Sequence, residues 1–134
     1  MSLTPVARPT GIERLHILNH QGTEVVLLDF VDAKDVGATV RQVHEIRNWF
    51  AGQVPNQQLR TVTDVTGARY NTEVLEALKT LATHNKPYVG AAAGVVKTAM
   101  HRVALNVASM VSGRNLKAFS TREEALDWVV RQPL

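Results

Sequence analysis

Apolar positions along the chain switch between a spacing of two, which marks a strand, and spacings of three and four, which mark a helix. Residues 1–11 follow neither period and read as a flexible arm. From Ile12 to Leu18 the alternation is imperfect and stops at the polar turn Asn19–Gly22; a second apolar run follows from Glu24 to Phe30. Two such runs about a glycine-containing turn predict a β-hairpin. Val25 to Leu28 is apolar on both alternating sets, which predicts a strand inside the sheet, covered on both faces.

Asp35 to Gln53 has the helical period, with Val36, Val40, Val43, Ile46 and Phe50 as one buried stripe. Asp32 or Asp35 suits the N-cap, and Gly52 with Pro55 marks the stop. Leu59 to Val65 predicts a strand with Leu59, Thr61, Thr63 and Val65 on one face and Arg60, Val62 and Asp64 on the other. A second helix is predicted from Asn71, its cap, to His84, with Val74, Leu75, Leu78, Leu81 and Ala82 as the stripe. Tyr88 to Val96 is a strand rich in Ala and Gly, where small side chains permit close approach of another backbone or a helix. A third helix is predicted over Lys97–Ser112, with Met100, Val103, Val107 and Met110 inward and Gly113 at the C′ position. Asn115–Phe119 is a short strand. Thr121–Arg131 is a last helix that opens on a capping box, Thr121 with Glu124 or, in the shifted register, Ser120 with Glu123. Strands alternating with helices after a hairpin predict an α/β fold, its sheet mostly parallel and its crossovers right-handed.

Composition narrows the class. A chain of 134 residues, 45% hydrophobic and 20% charged, suits a single domain, placed at 12–134. There is no cysteine, which removes disulfides, thiolate catalysis and cysteine-held metals and fits a reducing cytoplasm. No run approaches the ~20 apolar residues of a membrane span, and the N-terminus lacks the apolar core of a secretory signal. The expectation is a cytoplasmic protein with no integral membrane segment. The formal net charge of +3 is too small to argue for nucleic acid. No basic stripe interleaved with exposed aromatics is present, since Trp49 and Trp128 fall on apolar helix faces. The charge is unevenly spread, however: no acidic residue lies between Glu76 and Glu123. Within that stretch Lys97, Arg102, Arg114 and Lys117 are the candidates for an anion-binding patch.

Other constellations were weighed for chemistry. Gly90 to Thr98 sits at a strand–helix junction and ends in Lys-Thr, but the glycine and lysine spacing is not that of a phosphate loop. Asp29, Asp32 and Asp64 fall at or just beyond strand ends, where open α/β sheets bind ligands. They would hold magnesium or share a proton, or else serve as caps and loop acceptors. The histidines at 16, 20, 44, 84 and 101 show no metal-ligand spacing, and no serine sits in a nucleophile elbow. No catalytic residue, metal site or cofactor is assigned.

Gly22–Phe30 (GTEVVLLDF), Leu59–Gly67 (LRTVTDVTG), Asn85–Val89 (NKPYV), Ser112–Arg114 and Phe119–Trp128 (FSTREEALDW) occur in that order. In this they resemble the STAS-like bacterial proteins akin to anti-sigma-factor antagonists, over residues 20–130. The resemblance implies successive βα units and a non-enzymatic regulatory or protein-interaction module. In those antagonists a phosphorylated serine opens the helix after the second of these strands. Thr72 is the hydroxyl at the matching place, but Glu73 beside it disfavours a phosphate. Two alternatives stand beside that reading: a protein that binds a small anionic or lipid-like molecule, and a metal-dependent enzyme built on the strand-end aspartates. A homodimer is also expected. Right-handed crossovers put the connecting helices on one side of the sheet, leaving an apolar face for a second copy to cover.

Overall fold

The structure is a computed structural model that describes residues 10–99, 102, 103, 105, 106, 109 and 116–134. Most of the arm, residues 1–9, lies outside the described residues. The elements are β1 (Leu15–His20), β2 (Thr23–Asp29), α1 (Val36–Ala51), β3 (Leu59–Asp64), α2 (Thr72–Asn85), β4 (Val89–Val95), β5 (Lys117–Phe119) and α3 (Arg122–Arg131). Between β4 and β5, residues 99, 102, 103, 105, 106 and 109 are helical. The strands form one sheet in the order β1-β2-β3-β4-β5. The β1–β2 pair is antiparallel and the rest are parallel. The fold is therefore α/β with a mostly parallel sheet and an N-terminal hairpin, as the period switches predict.

Local chemistry accounts for the element ends. Gln21 (φ 53°) and Gly22 (φ 82°) both take the left-handed region, as the two-residue hairpin turn matched to twisted strands requires. Asp35 caps α1 by accepting from the Ala38 N–H at 3.1 Å. Asp32 is not the cap; it sits at φ 55° in the loop before it. Along α1, Thr39 and Gln42 join Val43, Ile46 and Phe50 in the interior, while Val36 and Val40 are half-buried. Gln42 is buried because it is partnered: Arg14 Nε donates to its Oε1 at 2.9 Å, and its Nε2 donates to Glu13 at 2.5 Å. Asn71 caps α2 through the Val74 N–H at 2.8 Å. Thr121 caps α3 through the Glu124 N–H at 3.2 Å, and its hydroxyl donates to the Glu124 carboxylate at 2.9 Å.

The small residues of β4 do what their size suggests. A Cβ on Gly90 would lie 2.1 Å from the Gln57 carbonyl oxygen, and one on Gly94 would lie 3.0 Å from a Leu105 methyl. In the helical stretch that follows, the predicted stripe needs correction. Val103 is 60% exposed, and Leu105 is the residue that packs on the core. Met100, Val107, Met110 and Gly113 lie outside the described residues.

Each sheet face has its own apolar cluster. On the first, Val26, Leu28, Val65, Val89, Ala92 and Val96 pack with Val43, Ile46 and Phe50 of α1 and Leu81 of α2. On the second, Val25, Leu27, Val62, Ala91, Ala93 and Val95 pack under Ala125, Leu126 and Val129 of α3. The second face is the one on which the homodimer expectation rests. It is already covered: Val25, Val62, Val95 and Val129 are 0% exposed within one chain. Self-association would need another surface. Trp49 and Trp128 pack against aromatic rings as predicted, Trp49 5.0 Å from the buried Phe50 and Trp128 5.7 Å from the half-buried Phe119 between ring centroids. No helix among the described residues is long and apolar enough to cross a membrane.

Leu28 is 2% exposed on an interior strand. Replacing it with alanine is expected to cost about 2–5 kcal/mol, measured by urea denaturation. A loss below about 1 kcal/mol would show that the strand lies at an exposed edge.

Candidate functional site

The core on the first face is incompletely filled. A partly enclosed cavity of about 80 Å3 lies against β3 and β4 beneath α2 and the helical stretch that carries Leu105. Its cause is legible in the residues. Ala92 and Gly94 on β4 offer little volume, and the side chains above them, Leu75, Leu78 and Ala82, are only half-buried. The lining runs along β3 from Thr61 to Val65, roughly 13 Å of strand. An engineered cavity of about 150 Å3 encloses benzene whole, so this one holds part of a molecule of that size, with the rest reaching out through its mouth.

Some of the polar atoms on this apolar space, those of Thr61, Thr63 and Asn85, lack protein partners among the described residues. Thr61 and Thr63 are two residues apart on β3, so both side chains fall on the cavity face. Thr61 is 5% exposed, and among the described residues neither hydroxyl makes a hydrogen bond. Asn85, at the C-terminal end of α2, is 3% exposed. Its Oδ1 meets His84 Nδ1 at 3.1 Å, and its Nδ2 has no partner among the described residues. Tyr70 lines the other end, where burial pushes its phenol up from the ordinary 10.0 to about 12. Its hydroxyl therefore stays protonated through the neutral range. Buried polar groups are nearly always satisfied in folded proteins, so groups without a protein partner on an apolar cavity make this the candidate binding site.

The residues singled out from sequence fall elsewhere. Asp29 and Asp64 are direct partners in the β2–β3 register. They converge on Arg122, which sequence reasoning missed: its Nη2 lies 3.2 Å from Asp29 and its Nε 3.0 Å from Asp64. Asp29 also accepts from the Val31 N–H at 3.1 Å, and Asp64 from the Thr66 N–H at 3.0 Å and the Thr66 hydroxyl at 2.7 Å. Asp32 is separate from this cluster, against Gly67, where an added Cβ would lie 2.1 Å from its Oδ1. With the guanidinium seated between them, the two carboxylates serve as anchors for α3. Among the described residues no group of three His, Asp or Glu side chains is placed to hold a metal.

Lys97, Arg102 and Lys117 are all exposed, and Arg114 lies outside the described residues. The register pairs Phe119 with Val95, so Lys97, two residues further on, stands about 13 Å along the strand direction from Lys117. None of the three lines the cavity. Thr72 is exposed in the first turn of α2. The cavity residues carried one visible signal in the sequence: Thr61 and Thr63 share the strand face that also holds Leu59 and Val65. Asn85 carried none, because it reads as the polar end of a helix.

Two stability measurements follow. Thr61→Val removes an unsatisfied hydroxyl at nearly constant shape, so it is expected to leave stability unchanged or raise it by up to about 1 kcal/mol. A loss above about 1 kcal/mol would mean that the hydroxyl is bonded within the fold. Arg122→Met strips the partner from the nearly buried Asp64 and is expected to cost about 1–3 kcal/mol. In an Asp64→Asn background the same replacement should cost less than about 1 kcal/mol; equal losses would show that Arg122 acts through packing alone.

Comparison of the chain with protein-family models, with curated proteins and with solved structures finds no match.

Proposed function

We propose that the chain is a non-enzymatic binding module that holds a small molecule in the cavity between the sheet and α2. The observation that carries this reading is the pair of buried side chains, Thr61 and Asn85, which line a mostly apolar space and hold polar atoms without a partner among the described residues. A packed core gains from satisfying such groups or replacing them, and a binding site gives a reason to keep them. The described side chains around the cavity include no nucleophile activated by a neighbouring base, and Tyr70 stays protonated, so we read the site's chemistry as recognition. The STAS-like resemblance agrees with a regulatory use of such a module, in which occupancy alters what the surface offers to a protein partner or a second copy.

The pure protein-interaction reading has less support. The exposed large apolar side chains among the described residues are Val54, Val103 and Leu134, well separated along the chain. The metal-dependent reading is weaker still, because Arg122 engages both strand-end carboxylates.

Native mass spectrometry of the chain purified gently from its own cell lysate tests the proposal. The expected result is a chain that carries a small-molecule mass, lost in Ala92→Leu, which fills the cavity from β4. A chain that retains only a second protein, with the same mass in parent and variant, would favour the interaction reading instead.

A further inference from the structure

The cavity also constrains what enters it. Among the described residues that line it there is no Asp, Glu, Lys, Arg or His. The exposed cations Lys97, Arg102 and Lys117 are not part of its wall. A charged group placed there would be desolvated with no counter-ion among the described residues that line it, and isolated charges are the most expensive groups to bury. A wholly apolar occupant would leave the Thr61 and Thr63 hydroxyls and the Asn85 Nδ2 without a hydrogen-bond partner. Water alone would satisfy those groups but would wet the Leu75, Leu78, Leu81 and Leu105 side chains. One kind of molecule meets every requirement: an uncharged one with an apolar body and a hydrogen-bonding group.

The polarity of that group follows from the partners. His84 Nδ1 engages Asn85 Oδ1, so Asn85 presents its Nδ2 hydrogens, which need an acceptor. The two threonine hydroxyls either donate or accept. Resting on the reading of the cavity as a binding site, we infer that its ligand is an electrically neutral, largely apolar molecule carrying a carbonyl-type acceptor, bound by Asn85 and the Thr61–Thr63 pair. This turns the anionic alternative drawn from the basic stretch away from the cavity: the ligand is recognised by neutral hydrogen bonds, and Lys97, Arg102 and Lys117 take no part.

Small probes of matched size test this. Benzene, butyramide and butyrate are titrated separately into the full chain at neutral pH, and 1H–15N chemical shifts of the cavity residues are followed. Butyramide and butyrate have nearly the same shape and differ in charge, while benzene reports the cavity without hydrogen bonding. Butyramide is expected to bind at the cavity at least tenfold more tightly than butyrate. Thr61→Val is expected to weaken butyramide about fivefold, the worth of one neutral hydrogen bond, while leaving benzene unchanged. Lys97→Ala combined with Arg102→Ala is expected to alter none of the three. If benzene binds but butyrate matches or exceeds butyramide, the neutral-ligand inference fails and the binding-site reading stands. If Thr61→Val leaves butyramide unchanged, the assignment of the hydroxyl fails. If none of the probes, benzene included, perturbs the cavity residues, the binding-site reading itself fails and the inference goes with it.

Discussion

Everything in this fold depends on how the second face of the sheet is closed. A parallel sheet must be covered on both sides, yet with the strands in sequential order, as here, right-handed crossovers put their helices on one. Here α1, α2 and Leu105 of the helical stretch pack on the first face, and the second is left to α3. That helix is fixed to the central strand at both ends. Arg60 of β3 donates to the Val129 and Gln132 carbonyls at its C-terminal end, at 3.0 and 2.9 Å. Arg122 at its N-terminal end reaches back to Asp64 of the same strand and Asp29 of the next. Arg60 and Asp64 are four residues apart on one face of β3, about 13 Å, and ten helical residues rise about 15 Å. Strand and helix match in length, and the ionic contacts set the direction in which the helix lies.

With the second face closed by short-range aliphatic packing under α3, the first face does not need to be equally tight. On it, β4 contributes alanine and glycine where a core strand usually contributes valine or leucine, and α2 stands over residues too small to meet it. The resulting space is bounded by the centre of the sheet, where β3 places Thr61 beside Ala92 of β4 and Val26 of β2. A threonine in the middle of a sheet is tolerated in shape because it matches valine, and costs energy when its buried hydroxyl has no protein partner, as here among the described residues. A protein selected for stability alone would carry valine there. Natural proteins depart from the most stable choice mainly where function asks for it.

The same logic separates two sets of polar side chains. The carboxylates of Asp29 and Asp64 are fully engaged by a guanidinium, loop N–H groups and a hydroxyl, and they act as structure. The Thr61 and Thr63 hydroxyls and the Asn85 Nδ2 have no partner among the described residues, and they are the groups that the proposed ligand would engage. Residue type alone suggests the opposite assignment, because aspartates at strand ends look chemical and threonines within strands look structural.

The sequence by itself determined the order and kind of the elements, because period and caps are local properties. The Gln21–Gly22 turn, the Asp35, Asn71 and Thr121 caps, and the doubly apolar Val25–Leu28 strand all depend on neighbours within a few residues. It also determined which face of β3 each residue takes, since a strand alternates whatever surrounds it. Tertiary structure decided the rest. Val103 and Leu105 are both plausible inward residues, and only the position of Gly94 beneath the helical stretch selects Leu105. The partnership of Arg122 with two aspartates 58 or more positions away depends on the β2–β3 register and the path of α3. The cavity is a difference between the space the backbone encloses and the volume the side chains fill, and no window of sequence contains both terms.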